Sequence, residues 1–284
     1  MSIVLEKVNY SYMEKTKLSR AAIKDISFTI EEGEFLGING HTGSGKSTLM
    51  QHLNALLIPT SGKVLVDGYD TTDKKQARLA RSLVGMVFQY PEYQLFDETV
   101  LKDIQFGPKN LGIGEEEAKE RALEAMELVG LDPAVFSELS PFDLSGGEKR
   151  RAALAGVLAM KPKYLALDEP MAGLDPRGRR EILNLLDSLR RTTGCGIIMI
   201  SHSMDDISRY ADRIAVLNRG ELLMLDTPSN VFRNTETLQS IGLSVPCAAT
   251  LSDRLREKGF RLPDGIVTMQ TLLDSLLKED GHAD

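Results

Sequence analysis

Residues 40–47 read Gly40-His41-Thr42-Gly43-Ser44-Gly45-Lys46-Ser47, and this stretch decides the fold class. Its glycines let the backbone curl through conformations closed to other residues, so that successive N–H groups can converge on one anion. Before it, Phe35-Leu36-Gly37-Ile38 reads as a short strand; after it, Lys46 to Leu57 reads as a helix. A strand, a glycine loop and a helix N-terminus in that order make a site for phosphate oxygens. The amides donate, the helix dipole favours negative charge, Lys46 adds a point charge for the outer phosphates, and Ser47 offers a hydroxyl to Mg²⁺.

Downstream, Tyr164-Leu165-Ala166-Leu167-Asp168-Glu169 is an apolar run that ends in two carboxylates. Such a run is a buried parallel strand, and its carboxyl end is the edge of an open α/β sheet where ligands bind. Asp168 is placed to hold Mg²⁺. Glu169 is placed to orient or deprotonate a water for phosphoryl transfer. Alone, an acidic strand end is usually a solvated edge; the phosphate loop upstream changes its meaning.

Between these halves lies Leu144-Ser145-Gly146-Gly147-Glu148. Ser145 can cap the helix that follows, with Glu148 completing an S-x-x-E capping box. Gly146 and Gly147 leave backbone N–H groups open at that N-terminus, which makes a second anion site.

The bulk numbers are compatible with a folded α/β protein. The chain has 284 residues, 42% of them hydrophobic and 26% charged. The net charge of −7 disfavours a nucleic-acid-binding face but leaves a local phosphate site possible. Two cysteines, Cys195 and Cys247, make no metal or disulfide framework and are expected as reduced thiols. No signal peptide is read at the N-terminus, and no run approaches the roughly 18 apolar residues of a membrane-spanning helix.

Along the chain, Ile3 to Leu5, Ile23 to Ile30, Lys63 to Val66 and Leu83 to Phe88 read as further strands, and Asp73 to Arg81 as a loop or short helix. From about 99 to 160 the pattern turns helical, with Ala118, Ala122, Leu123, Met126 and Val129 at helical spacing. Arg179 to Arg191 is an amphipathic helix before the apolar strand Gly196 to Ile200, and Ile214 to Leu225 a terminal hairpin. The expected organisation is a main domain over 1–228, with a helical subdomain inserted at about 99–160, and a small helical appendage over 229–284. In the appendage, Leu251 to Lys258 and Thr268 to Lys278 read as helices. His52 and His282 have no evident partners, and Met160 and Met171 read as core or interface filler.

The order phosphate loop, LSGGE, Asp-Glu strand resembles the ATP-binding subunits of ABC transporters. The resemblance implies a P-loop NTPase core with a β-rich N-terminal subdomain, an inserted helical subdomain carrying the signature segment, and a helical C-terminal appendage. It implies ATP and Mg²⁺ as ligands. ATP would lie on Gly40, His41, Thr42, Gly43, Ser44, Gly45, Lys46, Ser47 and Thr48, with Tyr12 on the adenine and Tyr10 as the rival ring. Mg²⁺ would be held by Ser47, Gln89 and Asp168, and hydrolysis served by Glu169, Gln89 and the switch residue His202. Ser145, Gly146, Gly147 and Glu148, with Asp175 of the segment Ala172-Gly173-Leu174-Asp175, would meet the ATP of an opposite subunit. Glu148 stands where the family commonly has Gln.

The stretches Gln51-His-Leu-Asn54, Gln89-Tyr-Pro-Glu-Tyr-Gln-Leu-Phe96, Phe106-Gly-Pro-Lys-Asn110 and Leu158-Ala-Met-Lys-Pro162 narrow the resemblance to the A-components of energy-coupling factor (ECF) transporters, most like the second of the two. That branch implies an identical or paralogous second ATPase, a transmembrane T-component and a small substrate-binding S-component. It places the chain peripherally on the cytoplasmic face of the membrane, driving import of a vitamin or of Co²⁺ or Ni²⁺. Tyr90 to Phe96 and the helix near Thr99 to Phe106 would receive the T-component, and the appendage would add dimer contacts. Another importer class would share the fold and chemistry. A DNA- or ribosome-directed ABC ATPase would usually carry a long coiled-coil insertion or two cassettes, and neither is seen; a small-molecule kinase would leave LSGGE and His202 unexplained.

Overall fold

The computed structural model describes residues 1–14 and 19–280, so His282 lies outside the described residues. In chain order the elements are β1 (Ser2–Tyr12), β2 (Arg20–Glu31), β3 (Phe35–Asn39), α1 (Lys46–Leu53), β4 (Ser61–Val66), β5 (Tyr69–Asp70), α2 (Lys74–Leu83) and β6 (Val84–Val87). The helical stretch follows with α3 (Val100–Asn110), α4 (Glu115–Leu128), α5 (Pro133–Phe136) and α6 (Gly146–Leu158). Strand and helix then alternate through β7 (Tyr164–Asp168), α7 (Pro176–Thr193), β8 (Gly196–Ile200), α8 (Met204–Tyr210), β9 (Arg213–Asn218) and β10 (Glu221–Asp226). Four helices end the chain: α9 (Pro228–Phe232), α10 (Thr235–Ser240), α11 (Cys247–Glu257) and α12 (Met269–Asp280).

The strands form two sheets, ordered β2-β1-β4-β5 and β10-β9-β3-β8-β7-β6. The first is antiparallel throughout. In the second, β9, β3, β8, β7 and β6 run parallel and β10 closes one edge antiparallel to β9. Parallel strands bring all their carboxyl ends to one edge. The loop after β3, the carboxylates ending β7 and the residues after β8 and β6 therefore meet there.

The fully apolar strands follow from burial on both faces. Successive side chains of a strand point to opposite sides. Accordingly Leu165 and Leu167 of β7 enter a core shared with α3, α4, α6 and α7, while Tyr164 and Ala166 enter a second core shared with α1 and the antiparallel sheet. The same division recurs in β8, where Ile197 and Met199 face the first core and Ile198 and Ile200 the second.

Several boundaries differ from expectation. Helix α1 stops at Leu53, four residues before Leu57. There Ala55 takes a left-handed conformation (φ 57°), and the Asn54 side chain accepts from the N–H of Leu56, offering the backbone an alternative to the helix. Of the loop or short helix expected after Asp73 the structure has the helix, because the Asp73 carboxylate accepts from the N–H groups of Lys75 and Gln76. Strand β1 runs on to Tyr12 through three irregularities in its pairing with β2, and these break the alternation that a sequence pattern needs. His52 does have a partner: it is buried, its Nδ1 lies 2.7 Å from the carbonyl oxygen of Thr48, and its ring meets Tyr10 edge-on. Met171 is buried in the first core.

Candidate nucleotide-binding site

The phosphate loop is wound tightly. Gly45 caps α1 at φ 104°, and a Cβ there would stand 2.6 Å from the carbonyl oxygen of Ala22. A Cβ on Gly40 would stand 2.4 Å from the carbonyl oxygen of Leu217. Side chains at either position would force the loop open. Lys46 is buried and donates to the carbonyl oxygens of Gly40 (2.7 Å) and His41 (3.1 Å), drawing the loop around its own ammonium. Burial pushes the Lys46 pKa down, opposed by the carboxylates of Glu169 and Asp168. The buried Ser44 hydroxyl has no hydrogen-bond partner among the described residues. His41 lies with Nδ1 2.8 Å from the carbonyl oxygen of Thr42 and Nε2 3.2 Å from Asn218 Oδ1, so the loop is also tied to the end of β9.

Asp168 ends β7 with its carboxylate hydrogen-bonded to Ser47. Burial raises the Asp168 pKa; the Ser47 hydrogen bond counters this and the nearby Glu169 charge adds to it. Glu169 takes a left-handed backbone conformation (φ 49°) and donates its N–H to the carbonyl oxygen of Ile200. That bend turns its carboxylate towards His202, whose Nε2 lies 2.8 Å from Glu169 Oε1. Gln89 is exposed, two residues beyond Val87, which pairs with Leu167; Gln89 and Glu169 thus leave neighbouring strands in step. Ser47, Asp168, Glu169 and His202 are brought to one sheet edge, with Gln89 beside them.

On the other side of the loop, a cleft of about 500 Å³ is lined by Tyr12, Arg20, His41, Thr42, Thr48 and Arg219, among others. The Tyr12 hydroxyl lies 3.1 Å from Thr48 Oγ1, and its ring stands edge-on to Tyr10. Tyr12 lines the cleft and Tyr10 does not; Tyr10 is braced between Tyr12 and His52 instead. Arg20 and Arg219 are cleft residues that no sequence motif singled out.

Ser145, Gly146 and Gly147 line neither this cleft nor the smaller one beside Glu169 and His202. They open outward. Ser145 caps α6 in a full capping box: its N–H donates to Glu148 Oε2 at 2.8 Å, and the N–H of Glu148 donates to Ser145 Oγ at 3.4 Å. Hydrogen bonds from Ser145 hold the Glu148 carboxyl below its ordinary pKa. Chain neighbours and the helix backbone apart, no atom stands within 4 Å of where a Cβ would sit on Gly146 or Gly147, and both residues are exposed. Asp175, also exposed, caps α7 by accepting from the N–H of Gly178 at 2.7 Å. Leu144 is buried and pins the segment to the helical core.

Sequence reading gave no role to Arg150 and touched Glu92 only as part of the stretch Tyr90 to Phe96. Arg150, five residues after Ser145, is buried and forms a two-pronged ion pair with Glu92. The signal was a cation on a helix face that one turn later carries Ala153 and Leu154 into the core.

The site and its sheet are those of an ABC-type ATPase: a family model described as ABC transporter matches residues 23–172. Among curated relatives, the chain is 52% identical to the energy-coupling factor transporter ATP-binding protein EcfA2 of Clostridium perfringens, over 98% of both chains. It is 54% identical to the EcfA2 protein of Symbiobacterium thermophilum, over 95% of this chain and 93% of that one. A solved structure of cbiO1 from Clostridium perfringens, described as part of the ABC transporter complex cbiONQ, superposes with a TM-score of 0.74 at 35% identity, over 90% of this chain and 98% of that one. The ATP-binding cassette MJ0796, solved as a dimer in a post-hydrolysis state with ADP and Pi, gives a TM-score of 0.70 at 29% identity, over 80% of this chain and 98% of that one. The chain therefore belongs to the ABC transporter family, in its energy-coupling factor ATP-binding branch, and its chemistry is ATP hydrolysis coupled to transport.

Proposed function

We propose that this chain is one of the two ATPase subunits of an ECF importer. It would sit on the cytoplasmic face of the membrane and close with its partner around ATP. The observation that carries the reading is the split site. The phosphate loop, Asp168, Glu169 and His202 gather at one edge, while the capped, open N-terminus at Ser145-Gly146-Gly147 is exposed and lines neither cleft beside them. A second subunit would bring its own signature segment to the γ-phosphate, with its Asp175, exposed here as well, beside it.

Within one subunit the roles follow from position. The amides of residues 40–47, with Thr48, would receive the phosphates, and Lys46 would exchange its carbonyl partners for phosphate oxygens. Tyr12 would lie against adenine. Glu169, held by His202, would orient the attacking water, with Gln89 beside it. Mg²⁺ fits the donor set: the Ser47 hydroxyl and the Asp168 carboxylate are hard oxygen donors already in contact, and Gln89 adds an amide oxygen nearby. When bound, the ion would supply charge neutralisation to the phosphates.

The membrane partners would dock on an exposed aromatic group: Tyr90, Tyr93, Phe96 and Phe106, with Phe96 and Phe106 in edge-on contact at 4.9 Å. No helix among the described residues is long and apolar enough to cross a membrane. A T-component would thus provide the path and an S-component would bind the vitamin or metal-ion cargo. Residues 1–228 would form the ATPase domain and 229–284 the appendage adding dimer contacts.

Extraction of the chain from its native membranes in mild detergent, followed by mass spectrometry, tests this. A second ABC ATPase, one large and one small multi-spanning protein should accompany it. Two conventional permease chains would assign it to another importer class, and ribosomal or DNA-bound partners alone would refute transport.

A further inference from the structure

Arg150 makes more contacts than its place on α6 requires. Its Nε donates to Glu92 Oε2 at 3.1 Å, and its Nη2 donates to both Glu92 oxygens, at 2.8 Å and 3.1 Å. Its Nη1 donates to the carbonyl oxygens of Pro170 (3.3 Å) and Ala172 (2.9 Å). The Arg150 side chain is 6% exposed and that of Glu92 17%. Bidentate pairing with further hydrogen bonds is the arrangement in which a buried pair recovers its desolvation cost.

The three segments joined here are the three that ATP hydrolysis must align. Glu92 follows Gln89 by three residues and is next to Tyr93, the most exposed ring of the aromatic group. Arg150 lies in the helix whose N-terminus is Ser145-Gly146-Gly147. Pro170 and Ala172 form the turn directly after Glu169, where the N–H of Ala172 donates back to the carbonyl oxygen of Glu169. One planar guanidinium therefore sets the signature helix, the segment after Gln89 and the turn carrying Glu169 against one another.

We propose that Arg150, clamped by Glu92, is a positioning residue for hydrolysis. It transmits displacement of the aromatic segment 90–96 to the turn bearing Glu169 and to the signature helix. The inference rests on the ATPase reading of the site and adds the connection between its parts. Lysine cannot replace arginine here, because an ammonium lacks the planar fork that reaches a carboxylate and two carbonyls together.

The test uses the full chain isolated with its partners, and the variants Glu92→Gln, Arg150→Lys and both together. Equilibrium MgATP binding, the kinetic constants of hydrolysis and melting temperature are measured. Because small misplacements of catalytic groups cost rate rather than binding, kcat should fall about tenfold or more in each single variant, with MgATP affinity held within about twofold. Since the two residues act as one unit, the double variant should be no slower than the slower single one. Glu92→Gln preserves shape at a partly exposed site and so keeps the test open if Arg150→Lys folds poorly. A kcat for Glu92→Gln within about twofold of the parent, or affinity and melting temperature falling in step with kcat, would overturn the proposal. Glu169→Gln assayed alongside separates the claims: if it hydrolyses ATP normally, the reading of the site has failed, independently of Glu92.

Discussion

Glu169 occupies a left-handed backbone position that a non-glycine residue adopts at a cost, and the surrounding contacts hold it there. Its N–H is taken by Ile200 and its carboxylate by His202, so the side chain is aimed before any ligand arrives. Glu169→Gln keeps the size and a hydrogen-bonding oxygen but loses the charge that, in the proposed role, orients or deprotonates water. Hydrolysis should fall by about two orders of magnitude or more while MgATP binding persists. Near-normal turnover in a steady-state assay would remove Glu169 from its role. Chemistry of the two thiols provides a check on burial at the same scale. Cys195 is buried, and desolvation pushes its pKa up to about 12; Cys247 is exposed. A thiol reagent at neutral pH should therefore label Cys247 in the native chain and reach Cys195 only on unfolding. Fast labelling of both under native conditions would contradict the packing around β8.

At the scale of elements, α6 shows how a cap holds a helix end while leaving amides open for the contact with ATP proposed above. Ser145 and Glu148 satisfy one another's backbone donors, which leaves the amides of Gly146 and Gly147 as the open ones. Ser145→Ala should lower stability by about 1 kcal/mol, as loss of a serine cap does. It should also slow hydrolysis further than that loss explains, measured as kcat at a temperature where both proteins are fully folded. An effect on melting alone would make Ser145 a cap and nothing more. This box was legible in the sequence because its signals lie three residues apart, as were the phosphate loop and the Asp168-Glu169 strand end. What escaped was set by contacts between distant segments. Strand β1 loses its alternation to irregular pairing with β2, and Arg150 meets Glu92 across 58 positions. No local pattern encodes such pairings, since each partner alone reads as an ordinary charged residue.

The whole molecule divides its labour by the faces of one parallel sheet. One face packs on α1 and the antiparallel sheet, which fixes the phosphate loop; the other packs on the helical segments that carry Ser145 and the aromatic group. The aromatic side chains contribute little to this interior: Tyr93 is 85% exposed and Phe96 57%. Clusters of exposed aromatic residues on an otherwise charged surface mark interaction sites. Replacing both, as Tyr93→Glu with Phe96→Glu, removes an apolar anchor and adds charge that a buried interface would have to desolvate at several kcal/mol. Because neither ring is buried in the chain itself, folding and MgATP binding should stay close to the parent. Recovery of the membrane-spanning partners in a mild-detergent extraction should be lost. If the partners were recovered at parental levels, the docking surface would have to lie elsewhere, and the ion pair of Glu92 with Arg150 would no longer join the membrane side to the ATP site.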